Sequence, residues 1–573
     1  MARKKSLTTK IFSLLKGQVR TGWILLTMFV ILGIVDLLSI SLLAPFVRSL
    51  ANYGSSDAID LSFSSIGNLE IDTSFLGYLI ILVFTLRTLI ALWANQSVLK
   101  FGEVLVNRLQ VGLTKKFQLL SFKDFNERKS NEYIYDIQTL TIKFNELIEA
   151  ILLASSGVIV SLFVVSYLIV FYTTEFLLLS FFLGISMGTY KALAFSKLKN
   201  YGSSHNTANN RLIAMVTEAM KGFREIKIYN QESRVRKEVE SATKSITHNY
   251  RLYQIIYKAP PYIFESLIVI FVVGISLVFV ETRGGTEVMS MISVFGLAAL
   301  RLRPAIAQFV QVLGQLQFAT DLVGRLYESW ENVEPELTRD TPGNLKNTEK
   351  KIANISLQNC LVMADNKNLL EGVSLDLSVG KWYGVLGESG SGKTTLMNAV
   401  VRYSDVVGGA VTYSLNNGEK TEDLESCFFD IAYVPQESFV FDTSLKDNVV
   451  ISSKNFNGKV YEQAIDFTKL RNLDSELRTQ LGETGNKISG GQRQRISIAR
   501  AIYSQRTVLM LDEATSALDN QVESHVMNSL VSLKKDKIIL QVTHNKGLLK
   551  YFDEIIVLKE GKIIYKGAPE KYF

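Results

Sequence analysis

Long apolar stretches dominate the first 330 residues and constrain the fold more than any other feature of the chain. Each approaches the roughly 20 residues that an α-helix needs to cross a membrane, where every backbone group must bond within its own segment. The stretches therefore predict an all-α membrane domain with six transmembrane helices. They cover residues 23–47, 75–98, 147–172, 176–193, 262–280 and 288–300, the last extending towards Val312.

The length of the chain requires more than one domain. At 573 residues it exceeds what a single hydrophobic core serves. The apolar stretches end near residue 330, and a polar segment with two prolines and no sustained periodicity follows, as is typical of a linker. We predict a membrane domain over residues 1–330, a linker over 331–350 and a soluble domain over 351–573.

Charge orients the predicted helices. Residues 50–74 contain four acidic residues and neither Lys nor Arg, so we place them outside, whereas 100–146 and 191–258 are rich in Lys and Arg and belong inside. We expect an integral protein of a bacterial inner membrane, with the N-terminus and the soluble domain in the cytoplasm. The same bias accounts for the net charge of +7, so no nucleic-acid partner is expected.

The two long inner connections have a helical pattern. We therefore expect the membrane helices to continue past the bilayer and to end in turns that reach a cytoplasmic partner. Small and polar residues predict these turns at 121–127 and 201–206. Two ordinary solvent-exposed loops are the alternative.

A glycine-rich loop stands between an apolar run and a helical pattern in the soluble domain. Such a strand, loop and helix can direct backbone N–H groups and the positive end of the helix dipole at phosphates. Lys393 is expected to reach the β- and γ-phosphates of ATP, and the Thr394 hydroxyl to bind Mg²⁺. We predict an α/β P-loop NTPase domain. The loop consists of Gly387, Glu388, Ser389, Gly390, Ser391, Gly392, Lys393, Thr394 and Thr395.

A second apolar run, 508–511, ends in Asp512 and Glu513. A buried parallel strand would deliver both carboxylates at its C-terminal edge. We expect Asp512 to hold Mg²⁺ through water. Glu513 is then placed to polarise the water that attacks the γ-phosphate, which is mainly a positioning role.

Ser489, Gly490 and Gly491 precede Gln492 and a basic amphipathic helix, which makes a second anion-binding helix start. Two such ends are more than one triphosphate needs. This segment resembles the signature motif of the ATP-binding cassette (ABC) superfamily, with Ile488 in the usual Leu position. The resemblance implies that the signature of one subunit closes over the phosphate loop of another.

The resemblance extends to three further motifs. Residues 433–436 look like the Q-loop, which implies that Gln436 binds Mg²⁺ and senses the membrane domain. Residues 516–519 look like the D-loop, which bridges the two sites of a dimer. Residues 542–544 look like the switch motif, so that His544 would contact the γ-phosphate. The implied catalytic residues are Glu513, His544 and Gln436.

One position departs from the family pattern. The family usually places an aromatic residue some two dozen positions before the phosphate loop, to stack on adenine, and Ala364 stands there in this chain. Loss of one stack costs about 1–3 kcal/mol by analogy with nucleic-acid stacking. We therefore hypothesise that ATP binding is weaker or less selective for the base.

Six spans before one cassette resemble the half-transporters of the ABC exporter class. This implies a dimer, with the two predicted turns as coupling helices that dock on the cassettes. Because Glu513, His544 and the signature are all present, a homodimer would have two competent sites, and a close homologue is the other possible partner.

Charged residues in or beside the spans are presumed functional, because intramembrane charge is costly. Arginine can bind phosphate through two hydrogen bonds. Short motifs around Arg87, Glu265 and the pair Arg301 and Arg303 are similar to bacterial flippases of lipid-linked oligosaccharides. However, Pro261 and Gln308 stand where further arginines are expected. Alternatively, Arg301 and Arg303 simply lie at the cytoplasmic face of the membrane. The candidates are Asp36, Arg87, Glu265, Arg301 and Arg303.

Together these features predict an ATP-driven exporter or flippase that moves a lipid, glycolipid or lipid-linked saccharide outward, with membrane lipid as a further partner. A multidrug or peptide exporter of the same architecture is the nearest alternative. The other two are a soluble cassette ATPase and a membrane protein that uses ATP as a switch without transport.

Overall fold

The computed structural model describes residues 6–51, 73–120, 122–126, 128, 130–283, 285–331, 350–364, 367–404, 406–422, 430–451, 456–476, 481–482 and 487–572. Two compact units share the chain. The first contains residues 1–118 and 130–334, and the second contains 119–129 and 335–573.

The first unit is entirely helical in its described part. Its helices are α1 (Leu7–Leu14), α2 (Val19–Ser41), α3 (Leu43–Ala51), α4 (Thr73–Gln118), α6 (Ser130–Tyr135), α7 (Thr141–Phe171), α8 (Thr173–Lys221), α9 (Phe223–Ile228), α10 (Glu232–Arg283) and α11 (Gly285–Glu331), with a π-helical turn over Asp136–Leu140 between α6 and α7. The predicted all-α membrane domain is confirmed.

Five of the predicted spans coincide with described segments that are long and apolar enough to cross a membrane. The fourth predicted span, 176–193, is helical throughout as part of the 49-residue helix α8 but is not among the five. The count of six therefore remains a prediction. The five are Val19–Val47, Thr73–Gln118, Glu132–Phe171, Glu232–Val280 and Glu287–Leu313.

Small residues let the membrane helices approach each other closely. A Cβ on Gly157 of α7 would lie 2.9 Å from the Ala305 Cα of α11. Within a membrane such close backbone contact replaces the hydrophobic driving force that water supplies elsewhere. Beyond this contact, α4 buries Leu105, Leu109 and Leu113 at four-residue spacing, which is one stripe of a helix.

The first predicted turn is confirmed where it is described. Helix α4 ends at Gln118, and the short helix α5 (Phe122–Asn126) follows. By its contacts this segment belongs to the same compact unit as the cassette, as the coupling-helix interpretation requires.

The second predicted turn is wrong. Residues 201–206 are helical within α8, and the chain instead breaks on either side of α9. Gly222 ends α8, where its N–H donates to Glu218 O at 2.8 Å, and Asn230 adopts a left-handed φ of 53° before α10 begins. A glycine in a long helix costs only about 1 kcal/mol relative to alanine, so Gly202 does not force a break.

Two sheets form the cassette. The strands are β1 (Ile352–Ala364), β2 (Lys367–Ser378), β3 (Trp382–Gly387), β4 (Val406–Leu415), β5 (Lys420–Thr421), β6 (Ile431–Val434), β7 (Val508–Asp512), β8 (Ile538–Val542), β9 (Glu554–Lys559) and β10 (Lys562–Gly567). One sheet has four antiparallel strands in the order β2-β1-β4-β5. The other has the order β10-β9-β3-β8-β7-β6 and is parallel except for β10.

Helices pack on these sheets, and the described residues of the cassette form three hydrophobic cores. Helix α12 (Lys393–Val400) shares one core with the four-stranded sheet and one face of the six-stranded sheet, and α17 (Asn520–Leu533) covers the other face. A third core lies among α13 (Leu445–Val450), α14 (Gly458–Phe467), α15 (Arg471–Glu476) and α16 (Gly490–Tyr503). The predicted α/β P-loop architecture is confirmed. The predicted linker lies almost wholly outside the described residues, so the domain boundaries stay predictions.

Helix α16 belongs to two cores at once. Ile496 and Ala499 lie in the helical core, whereas Ile498 and Ala501 lie in the core under the six-stranded sheet. The start of this helix is thereby held in a fixed position relative to the ends of the parallel strands.

We predict that Gly384→Ala destabilises the cassette. A Cβ at this position in β3 would lie 2.3 Å from the buried ring of Phe552, and overpacking of this kind costs about 1–3 kcal/mol. The thermal unfolding temperature of the purified full-length protein should fall by about 2–4 °C for each kcal/mol of stability lost. Gly408→Ala is the control, because its Cβ would meet Leu361 at an ordinary 3.4 Å. Equal shifts in the two variants would contradict the prediction.

Candidate functional site

The glycine-rich loop joins the end of β3 to the start of α12 and has a backbone that only glycine adopts easily. Gly390 and Gly392 have φ values of 81° and 102°. A Cβ on Gly387 would lie 2.4 Å from Leu558 O, and one on Gly392 would lie 3.0 Å from Leu369 O. Close approach of neighbouring strands therefore requires glycine at positions 387 and 392, and the positive φ favours glycine at 390.

Lys393 folds back over this loop. Its Nζ donates to Gly387 O at 2.9 Å and to Glu388 O at 2.8 Å. Burial lowers the pKa of Lys393, and the carboxylates of Glu513 and Asp512 partly oppose that shift. Close by, the Ser391 hydroxyl is buried without a hydrogen-bond partner among the described residues. The loop thus offers a cation and a free polar group to a phosphate.

Asp512 ends β7 in a buried position. The Tyr433 hydroxyl, from β6, donates to its Oδ2 at 3.1 Å. Burial raises the pKa of Asp512, and the bond from Tyr433 opposes this effect. Burial of the ionised form is costly without a compensating charge, which a bound cation would supply.

Glu513 is the point where the predicted catalytic residues meet. Gln436 Nε2 donates to its Oε2 at 2.8 Å, and His544 Nε2 lies 2.7 Å from its Oε1. The three side chains follow β6, β7 and β8, so they meet at the C-terminal edge of the parallel sheet. The Glu513 backbone has an unusual left-handed φ of 47°, and its N–H donates to Val542 O at 3.2 Å.

The signature residues form the start of α16. Ser489 is its N-cap and forms a capping box with Gln492, in which Gln492 N donates to Ser489 Oγ at 3.2 Å and Ser489 N donates to Gln492 Oε1 at 2.7 Å. Gly490 has no tight neighbour, but a Cβ on Gly491 would lie 2.7 Å from Ala517 O. The helix start therefore packs directly against Ala517, which lies in the predicted D-loop of the same chain.

Gln494 is a site residue that motif analysis missed. It is buried, and its Nε2 donates to Glu513 O at 3.4 Å and to Ser516 Oγ at 3.2 Å, while its Oε1 accepts from Ala517 N at 3.0 Å. The sequence does contain a signal that could have revealed it: Gln494 is a polar residue among the apolar residues on the buried face of α16.

Thr394 and Asp512 provide the hard oxygen ligands that Mg²⁺ prefers. Thr394 is exposed at the start of α12. Among the described residues, no three His, Cys, Asp or Glu side chains form a complete metal site. The donor set therefore fits a Mg²⁺ ion that completes its coordination with phosphate oxygens and water.

In the membrane unit, three of the candidate charges form one cluster. Asp36 of α2 is fully buried, and its Oδ1 lies 3.0 Å from Arg87 Nε of α4 and 3.1 Å from Arg301 Nε of α11. Arg303 pairs separately with Glu265 of α10 at 3.0 Å. The cluster around Asp36 holds two guanidinium groups and one carboxylate, which leaves an excess of positive charge.

Comparisons with known proteins agree with this architecture. The family described as ABC transporter matches residues 370–516, and the family described as ABC transporter transmembrane region matches 23–296. An ATP-dependent lipid A-core flippase of Desulfotalea psychrophila is 27% identical over 526 residues, 88% of this chain and 89% of that protein. Multidrug resistance protein 3 of Entamoeba histolytica is 31% identical over 301 residues, 51% of this chain and 22% of that one.

A solved structure resembles the chain over almost its whole length. It is the structure of a bacterial Atm1-family ABC exporter with ATP bound, with a TM-score of 0.74 and 16% identity, covering 97% of this chain and 96% of the other. At this identity the likeness concerns the fold.

We predict that Gln494→Ala lowers the kcat of ATP hydrolysis about ten-fold and changes the Kd for ATP less than two-fold. Each lost hydrogen bond is worth about 1 kcal/mol, and the loss frees the backbone of Glu513 rather than the phosphate loop. Steady-state ATPase assays and equilibrium nucleotide binding separate the two quantities. Gln463→Ala, on the exposed side of α14, is the matched control. A weaker Kd at unchanged kcat would reject the positioning role.

We predict similar affinities for ATP and GTP in the native chain. Ala364 ends β1 opposite Lys367, and the next two residues lie outside the described part. Ala364→Tyr should strengthen ATP binding about ten-fold by restoring a stack, whereas Ala364→Leu should not. Binding of both nucleotides to all three proteins is the test, and a strong native preference for ATP that Tyr leaves unchanged would refute it.

Proposed function

The chain belongs to the ABC transporter superfamily as an exporter-type half-transporter with an ATPase cassette, and from this premise we propose that it works as a dimer that moves a lipid, glycolipid or lipid-linked saccharide outward. The main support for ATP hydrolysis is that Gln436 and His544 both contact the carboxylate of Glu513. The proposed location is a bacterial inner membrane, with the cassette in the cytoplasm.

The phosphate loop is proposed to bind the triphosphate. Lys393 exchanges its two bonds to loop carbonyls for phosphate oxygens, and the unpartnered Ser391 hydroxyl contributes a further hydrogen bond. Thr394, Gln436 and Asp512 would hold Mg²⁺, which when bound neutralises phosphate charge.

Glu513 is proposed to orient and polarise the attacking water. Its two carboxylate oxygens already accept from Gln436 and lie against His544, so the group is positioned before the substrate arrives. In this scheme His544 contacts the γ-phosphate and Gln436 reports the state of the site to the membrane domain.

A second subunit is proposed to complete each site. In the described contacts, the start of α16 bonds to itself and packs on Ala517, and its exposed end remains available to a phosphate of another chain. Because this chain carries both the catalytic residues and the signature, a homodimer has two complete sites. A close homologue could replace one copy.

The substrate is the part of the proposal that rests on the membrane unit. An excess of positive charge beside Asp36 favours an anionic substrate, and the similarity to relatives named as ATP-dependent lipid A-core flippases supports a lipid. The similarity to a multidrug resistance protein supports a drug exporter as the second candidate.

The test is ATP-dependent translocation by the purified protein in liposomes. We expect labelled lipid-linked saccharides to move, and we expect Glu513→Gln to reduce ATP turnover about 100-fold or more while ATP remains bound, because a positioned base contributes about 10²–10⁴-fold. Glu570→Gln, an exposed substitution near the C-terminus, is the control.

Two outcomes distinguish the alternatives. Movement of drugs without movement of any polyprenyl or glycolipid species would replace the proposed substrate by a drug. Slow ATP turnover that Glu513→Gln does not change would favour an ATP switch without transport.

A further inference from the structure

A cavity of about 760 Å³ lies between α10 and α11 within the membrane unit. Its size falls in the range of known ligand pockets, about 300–1,000 Å³. The lining residues that matter here are Gln254, Tyr257, Lys258, Arg303, Gln311 and Gln315.

Two glutamines on opposite walls have unused hydrogen-bond acceptors. Gln254 Oε1 on α10 and Gln315 Oε1 on α11 are both buried without a hydrogen-bond partner among the described residues. An unpaired buried polar group costs about 1–3 kcal/mol, so a ligand that supplies donors recovers that free energy. Two hydroxyl groups of one sugar ring can supply such donors.

The cavity also contains a cation that is free to bind an anion. Arg303 is already paired with Glu265 at 3.0 Å, and its guanidinium lies over the ring of Tyr262. Lys258 has no ion-pair partner in the described part of the chain. Beside it, Tyr257 stacks on Tyr253 with 5.5 Å between ring centroids, which provides a rigid aromatic wall.

An apolar groove continues from the cavity along the outside of α10. Its volume is about 680 Å³, it shares Gln254, Lys258 and Tyr262 with the cavity, and Ile255 and Ile263 contribute to its apolar surface. A cavity that contains a lysine and several polar side chains therefore leads directly into an apolar surface. This combination matches an amphipathic molecule with one charged, hydroxylated end.

We propose that the cavity is the head-group site for an anionic glycolipid, in the form of a glycosyl phosphate. Sugar hydroxyls donate to Gln254 and Gln315, the phosphate pairs with Lys258, and the hydrocarbon chain lies in the groove. This inference rests on the proposed export of an amphipathic substrate and specifies its chemical class. It assigns recognition to residues other than the arginines paired with Asp36.

The test is equilibrium binding to the full-length protein in phosphatidylcholine nanodiscs, without ATP. Three radiolabelled probes share a dodecyl chain: dodecyl glucosyl phosphate, dodecyl phosphate and dodecyl maltoside. The native protein should bind the glucosyl phosphate most tightly. Substitution of both Gln254 and Gln315 by Met should weaken binding of the glucosyl phosphate about ten-fold and leave binding of dodecyl phosphate unchanged.

Lys258→Gln should weaken both phosphate probes several-fold and leave the maltoside unchanged. Gln311→Met is the control, since this residue lines the same cavity without a buried unpartnered oxygen, and it should change binding less than two-fold. The double Met variant should also unfold at a higher temperature than the native protein without ligand, because it removes unpaired polar groups. That rise shows that weaker binding does not arise from misfolding.

The inference is overturned if the double Met variant binds the glucosyl phosphate as the native protein does, or if dodecyl phosphate binds equally well to the native protein. Failure of the proposed transport looks different. In that case the native protein binds the glucosyl phosphate with the expected variant pattern, but ATP moves none of it across liposomes.

Discussion

The carboxylate of Glu513 is the contact on which the arrangement of the cassette site depends. Three parallel strands, β6, β7 and β8, end at the same sheet edge, and each delivers one residue to this point. Gln436 and His544 hold the two carboxylate oxygens, while Val542 O fixes the backbone in a left-handed conformation. Such a backbone is uncommon for a residue with a side chain, and it persists because the surrounding strands determine it.

Helix α16 connects this point to the start of the signature. One face of the helix packs under the six-stranded sheet and the other packs in the helical core, so the helix cannot shift independently of either. Gln494 binds the Glu513 carbonyl, and Gly491 lets the helix start approach Ala517. If the signature binds a phosphate of another subunit, as we propose, the force on that helix start acts directly on the backbone of the catalytic carboxylate in its own chain.

Local chemistry explains which features could be predicted. The loop at 387–395 and the acids after β7 were predictable, because glycine conformation and strand ends act over a few residues. Gln494 was not, since its partners lie about twenty residues away and meet it only in the folded cassette. The prediction of a turn at 201–206 was wrong for a similar reason. Small and polar residues permit a helix to end, but the helices actually end at Gly222 and near Asn230, which has a left-handed φ. The partners of Asp36 could not be predicted either, because two other helices, α4 and α11, supply them.

The charges in the membrane unit divide into two kinds. Asp36 is fully buried, and breaking a buried ion pair leaves an uncompensated charge that costs about 3–5 kcal/mol. Arg87 and Arg301 thus share one carboxylate, and Arg303 is paired with Glu265. Arg301 and Arg303 both lie within the apolar segment Glu287–Leu313, and each pairs with a carboxylate of another helix. Lys258, by contrast, has no ion-pair partner among the described residues. It lines the same cavity as the unpaired amide oxygens of Gln254 and Gln315. The proposed substrate would therefore meet an unpaired cation at Lys258, whereas the arginines are paired with carboxylates of other helices.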